Sequence, residues 1–142
     1  MKNLNKSIIF LLVLCMLALI GCNSQSTETF RDAENGEFVE LFITEAYELE
    51  EGLTLAKYMQ NIKGSKKISS FTFENGMLTV LNGAKASGNI YWMLYTDDAE
   101  YSNEAWGTYQ LNENLTLYSA TLGAEELPVK KGCTYVWVAQ AF

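Results

Sequence analysis

Few residues in this 142-residue chain could carry chemistry. Carboxylates gather at Asp97, Asp98 and Glu100, and again at Glu125 and Glu126. Oxygen donors of the first group are the type that bind calcium, but their spacing matches no calcium loop. Acids in a turn are more often simply solvated. Glycoside chemistry needs two carboxyl groups facing across a cleft, and nothing in the sequence singles out such a pair. There is no histidine, which removes the usual general base, the usual zinc ligand and every Ser-His arrangement. The stretch NGAKASGN has neither the spacing of a phosphate loop nor the helix that should follow one. No catalytic residue, metal ligand or cofactor is expected, and the chain is not expected to be an enzyme.

Recognition by aromatic side chains remains. In Gly88–Asp98, GNIYWMLYTDD, six large side chains stand between two turn signals. In a strand, alternation puts Ile90, Trp92 and Leu94 on one face and Tyr91, Met93 and Tyr95 on the other. One set must be core. The other is either covered by the residues that follow, such as Trp106, Tyr109, Leu117 and Tyr118, or offered to a ligand. Tyr and Trp suit surfaces that are apolar at one end and wet at the other.

The elements that must position these residues are mostly strands. Glu37–Thr44 reads as a strand, and Ala46–Gly52 as its continuation after a bend or a second strand. The period then changes. Leu55, Tyr58, Met59 and Ile62 share one helical face, Thr54 is placed to cap a helix over about 54–63, and Leu53 with Tyr58 forms a hydrophobic staple. Gly64 ends it. Asn75-Gly76 between apolar runs predicts a hairpin, and Asn112-Glu113-Asn114 predicts a second. Thr96–Ala105 reads as a polar connection, Leu122–Gly132 as a loop, and Cys133–Phe142 as the last strand. One helix among six to eight strands makes the fold α+β, with the helix laid across a sheet.

The N-terminus reads as targeting. Lys2 and Lys6 precede an apolar run, Ile8–Ile20, of signal-peptide length and short for a membrane span. Leu19-Ile20-Gly21-Cys22 resembles the bacterial lipoprotein signal, which implies cleavage before Cys22 and a diacylglycerol anchor on its thiol; an ordinary signal peptide with a chance cysteine is the plainer alternative. The expected location is the cell membrane, lipid-anchored and extracytoplasmic. Residues 22–36 read as a flexible tether and 37–142 as one domain. Loss of residues 1–21, which hold two lysines and no acid, takes the formal charge from −7 to −9. That argues against nucleic acid and anionic lipid as partners; the one basic cluster, Lys63, Lys66 and Lys67, fits a solvated helix end. With Cys15 removed and Cys22 acylated, Cys133 has no disulfide partner and is expected to pack as a small hydrophobe.

The order of motifs resembles the β-grasp domain of bacterial surface lipoproteins that is shared with the C-terminal domain of transcobalamin and intrinsic factor. The matching pieces are Glu51-Gly52-Leu53-Thr54-Leu55 at the helix start, Leu81-Asn82-Gly83, Tyr91-Trp92, and Leu127–Tyr135 leading into the last strand. They span roughly residues 38–140. A longer excursion, Ala99 to about Ala120, interrupts the pattern. The resemblance implies a mixed sheet with one helix packed across it. It implies a ligand that is a corrinoid or another large flat molecule, and it places Trp92 outward near that ligand, with Tyr91 and Met93 inward. The expected ligand-binding residues are Trp92, Leu94, Trp106 and Tyr109. The alternative is a structural or adhesive envelope module that joins surface proteins through its sheet edges. Replacing Cys22 by Ala is expected to release the protein from the membrane or block its maturation; fractionation with membrane like the wild type would refute the anchor.

Overall fold

The computed structural model describes residues 29–44 and 51–142. The targeting segment, Cys22, the tether up to residue 28 and residues 46–50 of the strand expected at Ala46–Gly52 lie outside the described residues, and Glu51–Gly52 form a turn. Within them the order is β1 (Arg31–Asp32), β2 (Phe38–Phe42), α1 (Leu55–Asn61), β3 (Phe71–Glu74), β4 (Met77–Leu81), β5 (Ala84–Lys85), β6 (Ile90–Thr96), β7 (Ser102–Asn112), β8 (Leu115–Ala120) and β9 (Thr134–Ala141). One sheet has the order β1-β5-β4-β3 and the other β2-β9-β6-β8-β7. Among the described residues, two sheets and one helix make the fold α+β.

The helix starts where the sequence places it. The Thr54 side chain accepts from the amide of Lys57, and Leu55, Tyr58 and Met59 are buried. The first amides of a helix have no partner within it. Here Leu55 N–H donates to the Leu127 carbonyl and Ala56 N–H to that of Ala124, each at 2.8 Å, while Val129 N–H donates to the Leu53 carbonyl. The loop before β9 thus closes the helix N-terminus. The Asn75-Gly76 turn forms as expected between β3 and β4, with φ of 52° and 78°, the left-handed pair that a two-residue hairpin requires.

The main core lies between the layers. It gathers Leu55, Tyr58 and Met59 from α1, Leu78 and Leu81 from β4, Trp92 and Leu94 from β6, and Tyr135, Trp137 and Ala139 from β9. A second cluster occupies the other face of the five-stranded sheet, with Tyr95, Leu117, Val136 and Val138 buried and Met93, Tyr109, Leu111 and Leu115 packed around them. The sheet curls over this cluster. Phe38 of edge strand β2 comes within 6.2 Å, ring to ring, of Tyr109 of the opposite edge strand β7.

Three expectations are corrected. The tether does not reach residue 36: Arg31–Asp32 pair with Ala84–Lys85 as a parallel strand, Ala33 is buried, and Arg31 forms an ion pair with Glu37. The polar connection after Thr96 ends at Tyr101, because Ser102–Ala105 already belong to β7. Polar residues serve there because most of that strand faces water. The facing of β6 is the reverse of what the resemblance implied. Trp92 is 5% exposed and Tyr91 47%. The indole is apolar surface that the interlayer core takes up, and its Nε1–H donates to the Ala84 carbonyl at 3.3 Å, which removes the cost of burying that donor. Met93 faces the second cluster, partly buried, rather than the helix.

Trp92→Ala is therefore expected to cost about 3–5 kcal/mol of stability, while Tyr91→Ala stays under about 1 kcal/mol. Paired thermal melts check this; equal melting temperatures would place Trp92 outside the core.

Candidate functional site

Strands β6 and β8 are neighbours for only two residues. Tyr95 pairs with Ser119 and Thr96 with Tyr118, while β9 accompanies β6 along all seven residues. β8 ends at Ala120, opposite Leu94 in this register, while β6 runs back to Ile90; a cleft of about 610 Å³ lies beside that unaccompanied stretch. Ile90–Leu94 forms one wall, Ser119–Gly123 the other, and Met77–Thr79 of β4 crosses the interlayer side. Ala86–Gly88, Trp106 and Trp137 complete it.

Trp106 reaches the cleft by an irregularity in β7. Asn103 pairs with Ser119 and Thr108 with Tyr118, so the four residues Glu104–Gly107 oppose none. Bulges of this kind re-aim side chains. The Asn103 side chain accepts from Ala105 N–H at 2.9 Å, which shapes the start of the bulge. Gly107 ends it at a φ of 146°, and a Cβ there would lie 2.9 Å from Ser119 Oγ. Only glycine lets β7 pass so close to the point where the β6–β8 pairing ends. Trp106 is left 65% exposed at the rim.

Among the described residues the lining contains no charged side chain, in a chain whose formal charge is −7. Two of its residues, Ser119 and Trp137, each bury a polar atom, Oγ and Nε1, that has no hydrogen-bond partner among the described residues; they are 6% and 4% exposed. Such groups are uncommon inside proteins and call for an explanation.

Of the residues expected to bind a ligand, Trp92, Leu94 and Trp106 line the cleft together. The two on β6 do so from the core side rather than from an open face. Tyr109 is elsewhere. It stacks in the second cluster, 5.6 Å from the Tyr95 ring, and burial raises its phenol above the ordinary value. The sequence reading missed Met77–Thr79, Trp137 and Ser119–Gly123. Their strands were legible, but the end of β8 short of Ile90 was not.

The acidic group is structural. Asp98, 4% exposed, accepts from the Glu100 amide at 3.1 Å and from Lys130 Nζ at 3.0 Å. Lys130 also donates to Glu100 Oε2 at 2.6 Å and lies over the Tyr101 ring. Asp97 Oδ1 accepts from the Thr134 amide at 2.7 Å. These carboxylates are thus partnered by the protein rather than simply solvated. The lysine hydrogen bond holds the Glu100 carboxyl below its ordinary value of 4.5, and the two carboxylates raise Lys130. Among the described residues no group of three or more His, Cys, Asp or Glu could hold a metal ion. Cys133 is half-buried, and that burial, with nearby Asp98 and Asp97, pushes its thiol up, away from the reactive thiolate.

The chain matches no known protein family, no curated protein and no solved structure.

Lys130→Met is expected to lower the melting temperature more than Glu100→Gln, because it strands Asp98 as a buried carboxylate without its cation. Glu100 is depressed in the folded state. Its contribution is therefore present above 4.5 and lost as the pH falls through and below that value. Melts across the acidic range should show a shallower acid dependence in Lys130→Met; an unchanged profile would refute the linkage.

Proposed function

We propose that the chain is a membrane-anchored, extracytoplasmic binding module that holds an uncharged, largely apolar ligand in the cleft between β4, β6 and the end of β8. The observation that carries this reading is the lining itself: three tryptophans and no charge among the described residues, in an acidic chain. Ligand sites are typically concave, mostly apolar and roughly 300–1,000 Å³, with a few polar groups that fix orientation. The cleft has that size. The anchor rests on the Leu-Ile-Gly-Cys signal. A corrinoid, the ligand class implied by the transcobalamin-like β-grasp resemblance, is larger than the cleft and would enter by one edge, with Trp106 against its face.

The adhesive reading has one observation in its favour. Edge strand β2 exposes Phe38 and Phe42, and an apolar edge invites pairing with another chain. That strand has only five residues, and Phe38 already contacts Tyr109, so the cleft is the better supported site.

Titration of tryptophan fluorescence with uncharged flat ligands, corrinoids included, is expected to give a saturable change. Trp106→Ala should weaken binding by about tenfold or more, as loss of a tryptophan anchor does, and leave the melting temperature unchanged. Wild-type affinity in the Trp106→Ala protein would sink this assignment.

A further inference from the structure

The hydrogen-bond parity of β6 specifies what the cleft can recognise. At one end of the β6–β9 pair the Phe142 amide donates to the Asn89 carbonyl; at the other the Asp97 amide donates to the Thr134 carbonyl. The register between them has no shift. In an antiparallel pair, residues that exchange bonds alternate with residues whose N–H and C=O point the other way. Tyr91, Met93 and Tyr95 therefore bond to β9. Ile90, Trp92, Leu94 and Thr96 turn their backbone groups to the opposite side, where Thr96 meets Tyr118.

Among the described residues, that side has no strand beyond Leu94. Ile90 N–H is taken by the Ser87 carbonyl at 3.0 Å. Among the described residues the Ile90 carbonyl and both backbone groups of Trp92 have no ladder partner, and this parity turns them toward the cleft. Backbone N–H and C=O groups are obligatory hydrogen-bonding groups, and an open strand edge is a template for another strand. A flat apolar molecule would fill the walls and leave these groups unmet. An extended peptide meets both: its backbone pairs with Trp92, and alternate side chains reach the apolar lining. In strand-addition complexes main-chain bonds give affinity and side-chain pockets give selectivity. Because the described lining carries no charge, the entering residues are uncharged. The free edge runs from the Ile90 carbonyl to the Leu94 amide; at about 3.3 Å per residue it spans roughly 10–13 Å and takes about three to four residues.

Resting on the cleft as the binding site, we infer that its ligand is a short extended segment of a partner protein, uncharged and apolar at alternate positions, added as a strand to the Ile90–Leu94 edge. The test uses the full-length protein in detergent and a library of fluorescein-labelled, capped hexapeptides with Val, Tyr, Phe and Thr alternating. An N-methyl scan of the tightest binder follows, with the uncharged dye Nile red as competitor. The expected result is that peptide binding is displaced by the dye. Methylation of alternate amides should weaken binding about tenfold, the worth of a main-chain hydrogen bond, and methylation of the intervening amides should change little. A methyl scan without alternation overturns the strand addition. Dye binding with no peptide binding also overturns it but leaves the cleft as a ligand site; binding of neither removes both. Association of the chain with itself that the dye dissolves would make a second copy the occupant, and would likewise overturn a foreign peptide.

Discussion

The register of β6 against β9 is the constraint on which the rest depends. Both ends are pinned by a backbone bond and a side-chain bond from the same residue of the β6 segment. Asn89 accepts from the Phe142 amide through its carbonyl and donates to the Phe142 carbonyl through its side chain at 3.0 Å. Asp97 donates its amide to Thr134 and accepts from the Thr134 amide through its carboxylate. A slip of one residue would exchange every inward and outward side chain. With the register fixed, Trp92 meets Ala139 and Leu94 meets Trp137, which builds the interlayer core. Tyr95 meets Val136, which builds the second cluster. The same parity aims the Trp92 backbone at the cleft.

The cleft exists because β8 ends at Ala120, just past its pairing with β6, while β6 continues to Ile90. β8 is paired with β7 from Ser102↔Ala120 to Asn112↔Leu115, and β7 curls over the second cluster to bring Tyr109 against Tyr95. β8 is paired with β6 only at the apex, at Tyr95 and Thr96. The four-residue bulge in β7 and the contact of Gly107 with Ser119 lie at that apex. The end of β8 thus leaves the gap beside the first core, and the bulge in β7 places Trp106 at its rim.

Much of this was legible locally. Thr54, Asn75-Gly76 and the alternation in Gly88–Asp98 act over a few residues, so the helix start, the hairpin and the division of β6 into two faces follow from the sequence. Which face points inward depends on partners far along the chain: Ala84 for the Trp92 indole, Trp137 and Ala139 for the packing. Both faces carry large apolar residues, and alternation alone does not rank them. Both faces in fact pack against apolar clusters, so Tyr91, near the open end beside Phe142, is the exposed member. Met77–Thr79 and Trp137 were invisible as site residues because strand and core positions look alike in sequence whether or not a neighbouring strand ends early.

The distribution of charge gives the last step. The acidic side chains that could repel or select ligands are engaged elsewhere or lie outside the cleft: Asp98 and Glu100 on Lys130, Asp97 on Thr134, Glu37 on Arg31. Lys130 in turn follows the loop that closes the helix N-terminus, so the ion cluster fixes the stretch between the helix and β9 rather than a ligand. What the cleft offers is therefore geometric: an unpaired length of strand, with indole and aliphatic walls. Discrimination there must come from hydrogen-bond direction and shape, because among the described residues no cation or carboxylate lines it. A ligand that brings only apolar area would satisfy the walls and none of the strand's polar atoms, and unmet buried polar groups are a penalty of about 1–3 kcal/mol each. An occupant with regularly spaced donors and acceptors along an extended apolar body removes that penalty, which is the physical reason the open edge of β6 favours a peptide over a flat ring system.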